Sequence, residues 1–332
     1  MKRTSSIPIL LDAIVKKYLP HVMLDTKVLQ NTLPTLAKER KTTAALEEAI
    51  REVHTLHQLF HQDARHMDRL PDESVHLIVT SPPYWTLKEY PQLHGQLGMV
   101  EDYEVFLDQL DLVWQHCYRM LIPGGRLVIV VGDVCLARRR YGRHTVVPLH
   151  ASIQEHCRKI GFDNLAPIIW YKIANAILEV QNGSHFLGKP YEPNAIIKND
   201  IEYILMQRKP GSYRRPTPAM RVLSLISEEH HRHWFQQVWQ LPGASTRDHP
   251  APFPVDVAAR LIRMFSFIGD TVLDPFMGTA TTNVAACRWG RNSIGFEIDP
   301  SYFQHAVNRL KEESAQLFAQ HTLEVIHELP VA

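Results

Sequence analysis

An α/β architecture with a mostly parallel sheet is the fold class this sequence predicts, on three observations. Short apolar runs bounded by turn residues alternate with helix-patterned segments along most of the chain, as in sheets built from βαβ units. The run His76-Leu77-Ile78-Val79 reads as a buried strand and ends in Thr80-Ser81-Pro82-Pro83-Tyr84-Trp85. A second strand pattern, Thr271-Val272-Leu273, enters the small-residue turn Asp274 to Thr282. A helix, Asn283 to Trp289, and a further strand, Ser293 to Ile298, complete one βαβ unit. With 332 residues, 45% of them hydrophobic, the chain can bury one large core of this kind, or a core plus a modest appended domain.

The elements follow in order. Residues 1 to about 57 are helix-patterned, and the first glycine of the chain is Gly95. Leu10, Ile14, Val15 and Leu19 form one amphipathic stripe, and Ala45, Ile50 and Val53 lie in another helical run. Such stripes pack on a parent domain more often than they bind a partner. A helix is expected from Asp102 to Leu121, ending at Pro123-Gly124-Gly125 and followed by a strand from Arg126 to Val131. Leu165 to Tyr171 and Ile201 to Met206 read as further strands. From about Gly211 to Arg247 the rhythm breaks: basic residues, the run His230-His231-Arg232-His233, Trp234 and Trp239 are interleaved. A helix from Val255 to Phe267 leads into the βαβ unit, whose own helix stops at Gly290, a favourable C-cap residue.

Charge and cysteine usage narrow the class. Net charge is only +1, so a uniformly basic coat is absent and any nucleic-acid contact must come from local clusters. Cys117, Cys135, Cys157 and Cys287 are scattered without paired spacing, which argues against a disulfide framework and a zinc site. Adjacent histidines on a helix point in different directions, so the His230–His233 run is not expected to hold a metal either. The apolar run Ile7 to Leu11 is broken by Asp12, so neither a signal peptide nor a membrane span is expected, and a cytoplasmic protein follows.

Two loops carry chemistry. Consecutive prolines after the first strand stiffen the backbone and remove two amide donors, leaving the Ser81 and Pro82 carbonyls without ladder partners. A hydroxyl, a free carbonyl and an aromatic face at one point suit a planar amine: two acceptors for its protons and a ring to stack on. A proline-rich turn over a packed aromatic is the plainer reading of the hexapeptide alone. In the second loop, small residues let the backbone approach a ligand, and Glu297 at the end of the next strand is placed to grip ribose hydroxyls. A purely structural turn with a capping acid is the alternative there.

Taken together, these loops resemble those of the beta-class DNA amino methyltransferases, which move a methyl from S-adenosyl-L-methionine to an exocyclic base nitrogen. Ser81-Pro82-Pro83-Tyr84 matches their catalytic motif, Asp274-Pro275-Phe276-Met277-Gly278 their cofactor motif, and Gly295-Phe296-Glu297-Ile298-Asp299 resembles their ribose-binding strand. The catalytic motif precedes the cofactor motif, the permuted order of that class, and the resemblance covers roughly residues 55 to 312. It implies a Rossmann-like methyltransferase fold with a helical N-terminal extension (1–57), a catalytic half (58–210), a target-recognition region (211–247) and a cofactor half (248–332). It also implies cofactor contacts at Asp63, Thr80, Pro250, Phe253, Asp274, Pro275, Phe276, Gly278, Thr281, Glu297 and Asp299. Two departures stand out: Ala280 where the family's turn has glycine, and Gln62 where glycine usually precedes the acid.

The resemblance implies that a flipped-out base stacks on Tyr84 with Trp85, its amine protons held by Ser81 Oγ and the Pro82 carbonyl. Serine at position 81 resembles the cytosine-N4 enzymes; aspartate or asparagine is the commoner adenine-N6 signature. Double-stranded DNA is the expected partner, with Arg138, Arg139, Arg140 and Arg143 as backbone contacts and Arg214, Arg215 and Arg221 in the recognition region. A second copy of the chain and a cognate restriction endonuclease are further partners the family allows. Adenine-N6 methylation and a non-catalytic DNA-binding regulator of the same fold are the competing functions.

Overall fold

A computed structural model describes residues 7–85, 95–172, 188, 197, 199–243, 253–316 and 321–327. Its strands are β1 (Leu56–His61), β2 (Val75–Thr80), β3 (Leu121–Val131), β4 (Val134–Leu136), β5 (Thr145–Val147) and β6 (Asp163–Tyr171). They continue as β7 (Ile201–Arg208), β8 (Val238–Gln240), β9 (Thr271–Asp274), β10 (Asn292–Glu297) and β11 (Thr322–His327). Nine of them form one sheet in the order β11-β1-β10-β9-β2-β3-β7-β6-β8, while β4 and β5 make a separate antiparallel ribbon. Every neighbouring pair in the described sheet is parallel except those of β7, which runs against β3 and β6. The mostly parallel α/β fold is therefore the one observed.

Strand β2 shows why. Val75, Leu77, Ile78 and Val79 expose no surface, because helices cover both sheet faces. On one face, Ile78, Leu127 and Ile129 meet Phe106, Leu110, Val113 and Trp114 of the helix Tyr103–Met120. On the other, Leu77, Val79, Val128 and Val130 meet Val257, Ala258, Leu261 and Ile262 of the helix Val255–Phe265. Each such aliphatic burial contributes roughly 1.5–3 kcal/mol. The alternation of Leu77 and Val79 against Ile78 is the pleat itself.

Boundaries moved where tertiary contacts intervened. The helix expected to reach Phe267 stops at Phe265, since Ser266 is extended and its hydroxyl donates to the Ile262 carbonyl at 2.6 Å. Strand β3 begins at Leu121, five residues early, and its register against β2 shifts between Val75 and Leu77, next to Pro123-Gly124-Gly125.

Three helices precede the sheet: Ile7–Tyr18, Thr26–Leu36 and Arg40–Ile50. Their buried side chains Leu11, Ile14, Val15, Leu29 and Leu46 pack on Ala219, Val222 and Ile268. The expected stripe is off by one member: Leu11 is buried and Leu10 is 47% exposed. At 100° per residue, Leu10 lies on the flank of a stripe centred on Leu11 and Val15. Residues 211–243 do not stand apart from the core. They supply the helix Pro218–Leu223 that receives the N-terminal helices and the strand β8 that pairs with β6. No described helix is long and apolar enough to cross a membrane.

Candidate active site

Strands β1, β10, β9 and β2 are consecutive neighbours, so their carboxyl ends share one edge, where open parallel sheets bind ligands. The two motif loops are fastened together there. Thr80 Oγ1 donates to Asp274 Oδ1 at 2.7 Å, across 194 residues of sequence. The Phe276 amide donates to the same oxygen at 3.0 Å, and the Thr282 hydroxyl donates to the Val79 carbonyl at 3.1 Å. Burial pushes the Asp274 carboxyl up to about 6, against the pull of these neutral donors.

Glu297 closes the next gap. Its oxygens accept from the amides of Gly278 at 2.9 Å and Asp299 at 2.8 Å, and burial raises its pKa to about 7. The turn between β9 and the helix Thr281–Arg288 takes left-handed backbone at Gly278 (φ 49°) and Ala280 (φ 64°). For alanine that conformation costs about 1 kcal/mol. The Ala280 methyl, fully buried with Leu59, Met277 and Val284, offsets part of it. Around these groups lies a cleft open to solvent at its mouth.

The expected cofactor residues divide into two sets. Asp63, Pro275, Phe276, Gly278 and Glu297 line the cleft, together with Ser81 and Pro83 of the loop after β2. Thr80, Asp274, Thr281 and Asp299 stand behind it as scaffolding. Asp299 caps the helix Pro300–Ala315 by accepting from the Ser301 and Tyr302 amides at 2.8 and 3.0 Å, and Thr281 Oγ1 accepts from Arg309 at 3.2 Å. Phe253 is buried in the core beside Trp239 and Val257, and Pro250 lies outside the described residues. The Asp63 carboxylate is gripped by Arg65 at 2.5 Å, and Arg65 also reaches Gln109.

Pro82, Tyr84 and Trp85 are turned inward. Tyr84 is 5% exposed, and its hydroxyl sits 3.2 Å from Ser81 Oγ and 3.3 Å from the Val130 carbonyl. Trp85, expected against DNA, is 8% exposed with its ring edge-on to Tyr103 at 5.0 Å.

The arginines separate as well. Arg138 to Arg140 sit in a short helical turn at the tip of the β4–β5 ribbon, directly beyond the carboxyl end of β3. Arg138, Arg139 and Arg143 there are exposed, while the Arg140 side chain lies outside the described residues. Arg214 and Arg221 are instead at the opposite, amino-terminal edge of the sheet. Arg214 is committed to Asp270 and lies over the Phe267 ring at 5.2 Å. The structure therefore does not bring them to the cleft; Arg215 beside them is exposed. His230 and His231 stack on Trp234 and Phe235 at 4.3 and 4.2 Å.

Several site residues carry no sequence signal. Gly95, Gln96 and Leu97 form a wall of the cleft from a segment without a motif, whereas Tyr302, one turn past Asp299, was within reach of a helix-face argument. Beyond Tyr84, Asp133 accepts from His150 Nδ1 at 2.6 Å, and the His150 ring stacks on Tyr203 at 3.7 Å. A Cβ at Gly132 would stand 3.5 Å from Tyr84 and 3.3 Å from Glu202, which pairs with Lys172.

The DNA methylase family profile matches residues 75–308, spanning both loops and everything between them. The chain belongs to that family of N6 and N4 methyltransferases. This methylase is 39% identical over 281 residues to the type II methyltransferase M.MjaI of Methanocaldococcus jannaschii, covering 75% of this chain and 89% of that one. TTHA0409 of Thermus thermophilus, a candidate DNA modification methylase solved with S-adenosyl-L-methionine, superposes with a TM-score of 0.67. It is 52% identical over 83% of this chain and 99% of its own. The cytosine-N4-specific PvuII DNA methyltransferase superposes at 0.56 with 18% identity, over 82% of the methylase and 96% of itself, a likeness of fold.

Proposed function

We propose that this methylase transfers the methyl of S-adenosyl-L-methionine to the exocyclic N4 amine of a cytosine flipped out of double-stranded DNA. The observation that carries the reading is the joint cleft: Ser81 and Pro83 of one loop, Phe276 and Gly278 of the other, and Glu297 at the end of β10 line the same space. The residues present fit the cofactor. Among the described residues each Glu297 oxygen accepts one backbone amide, leaving lone pairs for ribose hydroxyls, and Phe276, Phe296 and Ile298 offer apolar walls for a purine. When bound, S-adenosyl-L-methionine supplies an electrophilic methyl on a sulfonium.

The chain's own residues then position the amine. A base inside a duplex cannot reach the cleft, so the nucleotide is everted at a cost of a few kcal/mol. Ser81 Oγ and the Pro82 carbonyl accept the two amine protons, favouring a pyramidal nitrogen with its lone pair directed into the cleft. Tyr84, buried behind the loop, holds the Ser81 hydroxyl; offering its ring to a base requires the loop to open. Ser81 is too weak a base to take a proton early, so the proton leaves for water after attack. Asp133 is already paired with His150 and receives no proton role. Exposed Arg138, Arg139 and Arg143, on the ribbon at the same sheet edge, serve as phosphate anchors.

Incubation of the purified protein with plasmid and cofactor, digestion to nucleosides and mass analysis tests the assignment. N4-methylcytosine is the expected product. N6-methyladenine alone would overturn the choice of base. Calorimetry without detectable cofactor binding would favour the non-catalytic regulator.

A further inference from the structure

A buried group of side chains far from the cleft has no part in methyl transfer. His57 near the start of β1, Cys287 in the last turn of the helix Thr281–Arg288, and His321 just before β11 converge at the amino-terminal end of these strands. Cys287 Sγ and one ring nitrogen from each histidine all lie within 4.8 Å of one another. His57 and Cys287 are 0% and 1% exposed, while His321 is partly open to solvent.

We propose that these three residues bind a divalent cation of the zinc type, tying the edge strand β11 to β1 and to the helix behind the cofactor turn. Two imidazoles and a thiol form a borderline-soft donor set that suits zinc and excludes the hard, oxygen-seeking ions magnesium and calcium. The second nitrogen of each ring is already oriented, as ligating histidines require. His57 Nδ1 lies 2.7 Å from Ser293 Oγ, and that hydroxyl is itself held by Asn283 Nδ2 at 3.0 Å. His321 Nδ1 lies 2.6 Å from Thr55 Oγ1, and its Nε2 is buried with no hydrogen-bond partner among the described residues.

Loading needs two local changes: Cys287 Sγ, 3.7 Å from Ser314 Oγ, leaves that hydroxyl, and a threonine hydroxyl moves. Thr55 Oγ1 also lies 2.8 Å from His57 Nε2 and turns away from it so that this nitrogen can face the ion. As the sulfur–metal bond forms, the Cys287 proton passes to bulk buffer, and a water on the solvent side of His321 completes a four-coordinate shell. The positions 57, 287 and 321 make no spacing motif, which is why the cysteine count pointed away from a metal.

Cobalt provides the test. The full-length protein, stripped with a chelator and titrated with Co2+, should bind one ion per chain and show a thiolate-to-cobalt charge-transfer band. Zn2+ should displace the cobalt and raise the thermal midpoint. Cys287→Ser should remove the band, whereas Cys135→Ser should keep it. Absence of the band in the unaltered chain, or its survival in Cys287→Ser, overturns the proposal. If Cys287→Ser does not fold, His321→Gln on the open side should weaken Zn2+ binding roughly tenfold or more, and an unchanged affinity refutes the site.

Discussion

The two ends of β9 each carry an aspartate only 1% exposed, and they are handled in opposite ways. Asp270, at the amino end, is bonded by the Arg214 guanidinium and accepts from the Phe267 amide at 2.7 Å. Asp274, at the carboxyl end, is held by a hydroxyl and an amide, and nearby Glu297 is raised first by its own burial and then by the charges of Asp299 and Asp274. One end is a closed ion pair whose work is done on folding. The other keeps two acidic groups short of positive charge, which a ligand with hydroxyl donors can relieve. Scaffold and site are thus four residues apart, Asp270 just before the strand and Asp274 at its end.

The largest expected contrast comes from substitution at each edge. Ser81→Ala should lower turnover roughly a thousandfold, about 4 kcal/mol of transition-state stabilisation, with cofactor affinity unchanged by calorimetry. Near-normal turnover would break the amine-positioning role. Asp270→Asn should do the reverse, costing about 3 kcal/mol in urea unfolding by leaving Arg214 unpaired, while turnover per folded molecule persists. A loss of activity without a loss of stability would erase the distinction between the two ends.

Titration sharpens the comparison. The folded carboxyls of Asp274 and Glu297 titrate near 6 and 7, above their ordinary 3.8 and 4.5. The native state therefore holds extra protons between those values, and stability falls as pH rises from about 4 through 7. Asp274→Asn should remove its share, up to about 3 kcal/mol, measured by unfolding at the two ends of that range. An unaltered pH profile would mean that Asp274 is ionised in the fold without penalty. Donation from ribose hydroxyls favours the Glu297 carboxylate, so cofactor affinity should be roughly tenfold higher at pH 8 than at pH 6. A flat affinity profile would remove Glu297 from that contact.

The smallest effect is expected at the turn. Ala280→Gly relieves about 1 kcal/mol of left-handed strain but gives up a buried methyl of about 0.8 kcal/mol and adds freedom to the unfolded chain. The net change in unfolding free energy should stay under about 1 kcal/mol. A change of twice that size would show that one of these opposing contributions dominates.

Much of the site was legible because its signals are local. The apolar run before Thr80 and the proline pair after it mark a strand end whatever surrounds them. Which members of a motif face the ligand was not legible. Asp274 and Asp299 look equivalent to Glu297 in the sequence, and all three accept backbone amides, yet Glu297 alone of the three lines the cleft. Arg214 reads as a DNA contact until Asp270, 56 residues away, is seen to claim it. Side-chain direction at a strand end depends on register and neighbours, which a linear pattern does not carry.

By itself the amino-acid sequence marked six of the nine strands of the described sheet, the two motif loops and the order in which they occur, since periodicity and backbone stiffness are properties of neighbouring residues. Tertiary structure decided which groups share a space: Thr80 with Asp274, Ser81 with Glu297, and Cys287 with two histidines. Those meetings follow from parallel strand order and helix packing, which join positions as far as 194 residues apart and more through contacts no local preference encodes.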